Sequence, residues 1–167
     1  MKDQLYWNRL LKGMLTVVPA CVGVGLGIVA GRRMMKQAVA KEKLYAGKHL
    51  AILQLFNQWM VTKQEGKSIA EYLQKSGIRT VAIYGMSYVG ERLYDELKDS
   101  GIAVKYVIDK NADGIYAEVD VLGPKEDLPE VDLIIVTAVF FYDEIEKDLE
   151  KVTACRISSL EDILYEM

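Results

Sequence analysis

From Gly13 to Gly31 the chain reads GMLTVVPACVGVGLGIVAG, 19 residues without one charged side chain. As a helix this run would be about 28 Å long, close to the roughly 30 Å of a bilayer's hydrocarbon core. Lys12 stands before it and Arg32-Arg33 after it, and charge at both ends is what a membrane anchor carries. The pattern predicts one transmembrane helix over residues 13–31, preceded by a short tail over 1–12. Removal as a signal peptide is disfavoured, because Arg32, Arg33, Lys36, Lys41 and Lys43 follow at once and Ile28-Val29-Ala30 is a poor small-x-small cleavage site.

Charge sets the expected orientation. Residues 1–48 carry nine Lys/Arg against two Asp/Glu, so an overall charge of -3 divides into a basic N-terminal part and an acidic remainder. The larger basic cluster follows the apolar run, which predicts a cell-membrane location with the N-terminus outside and the C-terminal domain in the cytoplasm. An anionic membrane surface suits the basic part, while the acidic body argues against nucleic acid as a partner. Gly23, Gly27 and Gly31 form two overlapping GxxxG units, the spacing through which two spans approach closely, so a homodimer through them is an expectation. Cys21 and Cys155 belong to no metal-binding or disulfide spacing, and no metal is expected.

Beyond the span, residues 32–78 read as a basic juxtamembrane segment and linker helices. Ile52, Leu55, Phe56, Trp59 and Met60 recur at helical spacing and require burial, most simply on the domain. Ser68-Ile-Ala-Glu71 has the form of a capping box, and Gly77 suits the end of the helix it opens. Over residues 79–167 apolar strand-like runs alternate with helical ones: Val81–Tyr84, Val104–Ile108, Val119–Leu122, Leu133–Val136 and Cys155–Ile157, with helices after the first, over Tyr142–Lys151, and from a second capping box at Ser158-Ser-Leu-Glu161. This alternation predicts an α/β fold, a small Rossmann-like parallel sheet in the order 3-2-1-4-5, preceded by the transmembrane helix and an amphipathic linker helix.

The first strand runs into Gly85-Met-Ser-Tyr-Val-Gly90. In the dinucleotide fingerprint G-x-G-x-x-G the first glycine makes the turn, the second lets backbone approach pyrophosphate and the third lets helix pack on strand. Here Ser87 holds the second position. Asp109 ends the second strand, 24 residues after Gly85, where an acidic residue commonly accepts from ribose hydroxyls. The candidate binding residues are therefore Gly85, Met86, Ser87, Tyr88 and Gly90 of the loop, Asp109 and Lys110 at the second strand's end, and Thr137 and Ala138 at the fourth's. Asp109→Ala is expected to leave the core intact. A fold that keeps its glycines for packing alone is the competing reading, and both stand at this level.

The stretches YGMSYVGERLYDEL, VKYVIDKN and VLGPKEDLPEVDLIIVTA resemble the Rossmann-like domain of bacterial surface-polysaccharide proteins, including nucleoside-diphosphate-sugar epimerase-like and membrane-bound sugar-phosphate transferase families. The resemblance covers about 90 C-terminal residues. It implies binding of NAD(P) or a nucleotide sugar, with Gly85, Ser87 and Gly90 at the phosphates and Asp109 at a ribose. It also implies an accessory or regulatory part in surface polysaccharide biosynthesis, beside a membrane glycosyltransferase. Two alternatives are a reduced epimerase or dehydrogenase completed by a partner, and a ligand-free interaction domain.

Catalytic residues are not evident. Tyr94-Asp-Glu-Leu-Lys98 matches the Tyr-x-x-x-Lys string of sugar epimerases, but it lies on the helix straight after the glycine loop, where an i, i+4 surface pair is the better explanation. His49, the one histidine, has no acidic or cysteine neighbour in sequence to make it a ligand or a base. Phe140, Phe141 and Tyr142 are placed either to stack on a ligand or to close the core.

Overall fold

A computed structural model describes the backbone of residues 2–167 and the side chains of residues 32–167. The predicted span over 13–31, its GxxxG glycines Gly23, Gly27 and Gly31, and the tail before it lie outside the residues whose side chains are described. Over residues 32–167, whose side chains are described, no helix is long and apolar enough to cross a membrane. The chain divides into two compact units, Met1–Ala46 and Gly47–Met167. In the first, the backbone is part of helix α1 (Lys2–Gln64), and Arg32, Arg33, Lys36, Lys41 and Lys43 are exposed.

The second unit is built on five parallel strands, β1 (Thr80–Tyr84), β2 (Ala103–Ile108), β3 (Asp120–Leu122), β4 (Leu133–Val136) and β5 (Ile157–Ser159). Their order is β3-β2-β1-β4-β5, as the alternating pattern predicts. The central strands are apolar at nearly every position because both faces of the sheet are covered. Successive side chains then feed opposite layers: Val81, Ile83, Leu133 and Ile135 enter one core, Ala82, Tyr84, Ile134 and Val136 the other.

Helices α2 (Ile69–Lys75), α3 (Tyr88–Leu97), α5 (Leu160–Glu166) and the last turns of α1 cover the first layer. Leu55 and Trp59 of α1 are buried there, with Ile52 and Phe56 partly buried, so this stripe does pack on the domain. Met60 is exposed, and Thr62 takes the next inward position instead, three residues after Trp59. The compact unit thus begins at Gly47, and the helices read in sequence as linkers contribute to its core.

The second layer holds one α-helix, α4 (Tyr142–Leu149), which contributes Tyr142, Ile145 and Leu149. Leu128 and Val131, from the connection between β3 and β4, complete it. No helix forms in that connection, so one broad face of the sheet has a single helix on it.

Three local expectations are corrected. The fifth strand starts at Ile157 rather than Cys155, because Ile157 is the residue in register with Ile134, while the Cys155 thiol accepts from the Val131 amide at 3.4 Å. The last helix is capped by Ser159, whose hydroxyl accepts from Asp162 N at 3.0 Å, and Ser158 stays in the strand. Ser68 occupies the cap of α2 but its hydroxyl makes no capping bond. Glu96 of α3 takes over that role: one carboxylate oxygen accepts from Ile69 N at 3.0 Å, the other from Trp59 Nε1 at 2.9 Å, and Lys63 Nζ lies 2.5 Å away. A residue distant in sequence satisfies the helix start, which no local motif reveals.

Candidate functional site

At the carboxyl ends of β1, β2 and β4 the chain makes three turns that meet. Gly85 leaves β1 with φ +94, a left-handed conformation that side chains resist, while its N–H still donates to Ile108 O at 2.8 Å. Gly90, in the first turn of α3, lies against this turn so closely that an added Cβ would stand 2.0 Å from Gly85 O. These are the tight-turn and helix-packing duties expected of the first and third glycines of the loop.

Asp109 closes the arrangement from β2. Its carboxylate accepts from Met86 N at 3.0 Å and from Asn111 N at 2.9 Å, joining the loop after β1 to the turn after β2. Thr137, 3 % exposed, does the same from β4, with its hydroxyl 2.7 Å from Gly85 O and 3.0 Å from Tyr84 O. Ala138 lies beside it, 3.8 Å from where a Gly85 Cβ would be. Gly85, Met86, Gly90, Asp109, Thr137 and Ala138 are therefore gathered at one place.

The remaining predicted residues are arranged differently. Ser87 caps α3 in an extended conformation, exposed, with no bond from its hydroxyl to the helix. No side chain caps this end, so the positive pole of a ten-residue helix faces outward beside the loop. Tyr88 is 81 % exposed. Lys110 follows Asp109 but lines a cavity over the α4 face of the sheet.

That cavity, of about 740 Å³, is bounded by Tyr84, Lys110, Pro124, Lys125, Ile145, Asp148, Leu149, Lys151 and Val152. Apart from Lys110, none of these residues stood out in the sequence. Tyr84 is buried, and its phenol is pushed above its ordinary pKa, first by burial and then by Asp109, Asp148 and Glu144.

Of the aromatics after β4, Phe141 and Tyr142 pack partly buried against the second layer, while Phe140 is exposed. Phe140 and Phe141 meet edge to face at 5.1 Å, the Phe140 ring lies where a Gly47 Cβ would be 3.0 Å away, and Lys48 Nζ stands 5.9 Å from the Phe141 ring centre. Tyr94 donates to Glu118 at 3.2 Å and Lys98 pairs with Asp95 at 2.9 Å. Burial, then Glu118, raises the Tyr94 phenol pKa, the opposite of what a catalytic tyrosine requires. Among the described residues no group of three or more His, Cys, Asp or Glu side chains is placed to hold a metal ion.

Fold and site together define an open, doubly wound parallel α/β domain with a glycine turn at the carboxyl end of its first strand. Comparison with protein-family models, curated proteins and solved structures returned no match to this chain.

Proposed function

We propose that the chain is a membrane-anchored module whose α/β domain binds NAD(P) or a nucleotide sugar at the carboxyl edge of its sheet. The observation that carries this reading is the joining of the Gly85 turn, the uncapped start of α3 and the Asp109 carboxylate at one edge, beside the β1/β4 boundary where strand order reverses. Phosphate suits the helix start, since its backbone N–H groups and dipole favour an anion. A ribose diol suits Asp109, because a carboxylate has about four acceptor sites and two are in use.

The uncharged run over 13–31 supports anchoring, and the exposed basic residues from Arg32 to Lys43 support a cytoplasmic domain. Pairing of two copies through Gly23, Gly27 and Gly31 belongs to the same reading. So does an accessory or regulatory place in surface polysaccharide biosynthesis beside a membrane glycosyltransferase, which rests on the sequence resemblance. A reporter fused after Met167 tests the orientation, and identification of nucleotide released from the purified full chain tests the ligand. External labelling of the domain contradicts the first.

One observation favours a second reading, a ligand-free interaction domain. The Met86 amide, which an incoming phosphate oxygen would need, already donates to Asp109. On that reading the glycines serve packing alone and no nucleotide is released.

A further inference from the structure

The cavity over the α4 face owes its existence to the missing helix between β3 and β4. Residues 123–132 cross the sheet there as an irregular connection, touching the core through Leu128, Val131 and the Tyr106 bond to Pro129 O. Tyr84 of β1 and Ile145 and Leu149 of α4 form the apolar floor of the cavity, walled by Pro124 and Val152. Its volume of about 740 Å³ falls within the roughly 300–1,000 Å³ usual for small-ligand pockets.

Three of the four charged side chains that line this cavity are lysines. Lys110, Lys125 and Lys151 line the cavity against the single carboxylate of Asp148. Asp148 pairs with Lys151 at 2.7 Å, whereas Lys110 and Lys125 make no ion pair among the described residues. The same lysines hold the Asp148 carboxyl below its ordinary pKa, Lys151 most, then Lys110 and Lys125, so all three converge on one place from three segments of the chain. In a body that is acidic beyond residue 48, this convergence stands apart.

We propose that this cavity is a second binding site, separate from the glycine turn, for a phosphorylated small molecule with a ring-shaped body. Lys110 and Lys125, which make no ion pair among the described residues, would meet the phosphate charge. The ring would lie against the apolar walls of Pro124 and Val152, above the buried Tyr84, Ile145 and Leu149. Phosphate and apolar body are then recognised by different residues, so neither fragment alone binds as well as the whole.

Calorimetry on the purified full chain with UDP, uridine and inorganic pyrophosphate tests this. UDP should bind more tightly than either fragment. The double variant Lys110→Gln/Lys125→Gln should weaken UDP about tenfold and leave uridine unchanged, since only the phosphates meet the lysines. Val152→Asp, at a half-exposed wall position, should weaken UDP independently by bringing a carboxylate to the mouth. Far-ultraviolet circular dichroism checks that both variants fold. No UDP binding at millimolar concentration overturns the proposal, and leaves the cavity open to an acidic segment of a partner protein instead. UDP affinity unchanged in the lysine variant but lost in Ser87→Asp also overturns it, and assigns the nucleotide to the glycine turn. The converse pattern upholds the cavity and removes the glycine-turn reading for UDP.

Discussion

Asp109, at the end of β2, accepts a hydrogen bond from the Met86 amide at 3.0 Å, and so holds the loop after β1 with a carboxylate from the neighbouring strand. Its other oxygen accepts from Asn111 N at 2.9 Å. Asp109→Ala leaves both amides without their partner, contrary to the sequence expectation of a substitution that spares the structure. A loss of about 1–3 kcal/mol is expected in chemical denaturation. Any change in ligand affinity in this variant has to be read beside that loss, and an unchanged stability contradicts the structural role.

Gly90→Ala is the sharpest test of the turn. The new methyl would stand 2.0 Å from Gly85 O and 3.0 Å from Gly85 C, both backbone atoms held by β1, so α3 must move off the strand. A destabilisation of about 3 kcal/mol is expected. A melting temperature equal to the wild type's would show that α3 does not lie as close as described.

The glycine turn was legible because its cause is local: Gly85 and Gly90 sit between an apolar run and an amphipathic one, and each has the backbone duty its position suggests. Strand order followed from alternation, since a parallel sheet restricts the crossovers. Most of what escaped was non-local. Glu96 capping α2 and the Lys110, Lys125 and Lys151 convergence join segments whose spacing in sequence has no periodic signature, while Thr62, a polar residue at an inward helical position, carries no apolar signal. Cys155 has the apolar character of a strand residue, but register with β4 starts two residues later, at Ile157.

Glu96 provides a prediction about the link between α1, α2 and α3. Its carboxylate accepts from Trp59 Nε1 and Ile69 N and pairs with Lys63. Glu96→Ala should cost about 2–4 kcal/mol in denaturation by leaving two partly buried donors unmatched. Glu96→Gln should cost less, because its one amide oxygen still serves a donor. Equal effects of the two would remove the carboxylate's assigned role.

Tyr106 gives a pH prediction. Burial, then Cys155, pushes its phenol up to about 12 from 10.0, and its hydroxyl donates to Pro129 O at 2.7 Å. A pKa raised by folding stabilises the folded state below pH 10, and that contribution is lost as pH rises through about 12. Tyr106→Phe should lower stability at neutral pH by about 1 kcal/mol. It should also flatten the decline between pH 10 and 12, with Tyr84 and Tyr142, raised for similar reasons, sustaining the rest. An equally steep decline in the variant contradicts the assignment.

The most direct measurement of the nucleotide reading is calorimetry of the full chain with NAD(H), NADP(H) and UDP-sugars, on the wild type and on Ser87→Asp. Ser87 is exposed and makes no capping bond, so aspartate there is expected to hold or improve the start of α3, by about 0.5–1 kcal/mol, while placing a negative charge where phosphate would lie. At least one of these ligands should bind at or below millimolar concentration, weakened tenfold or more in Ser87→Asp although the domain is no less stable. Absence of binding by every one of them, or equal affinity in the two proteins, would overturn the nucleotide reading.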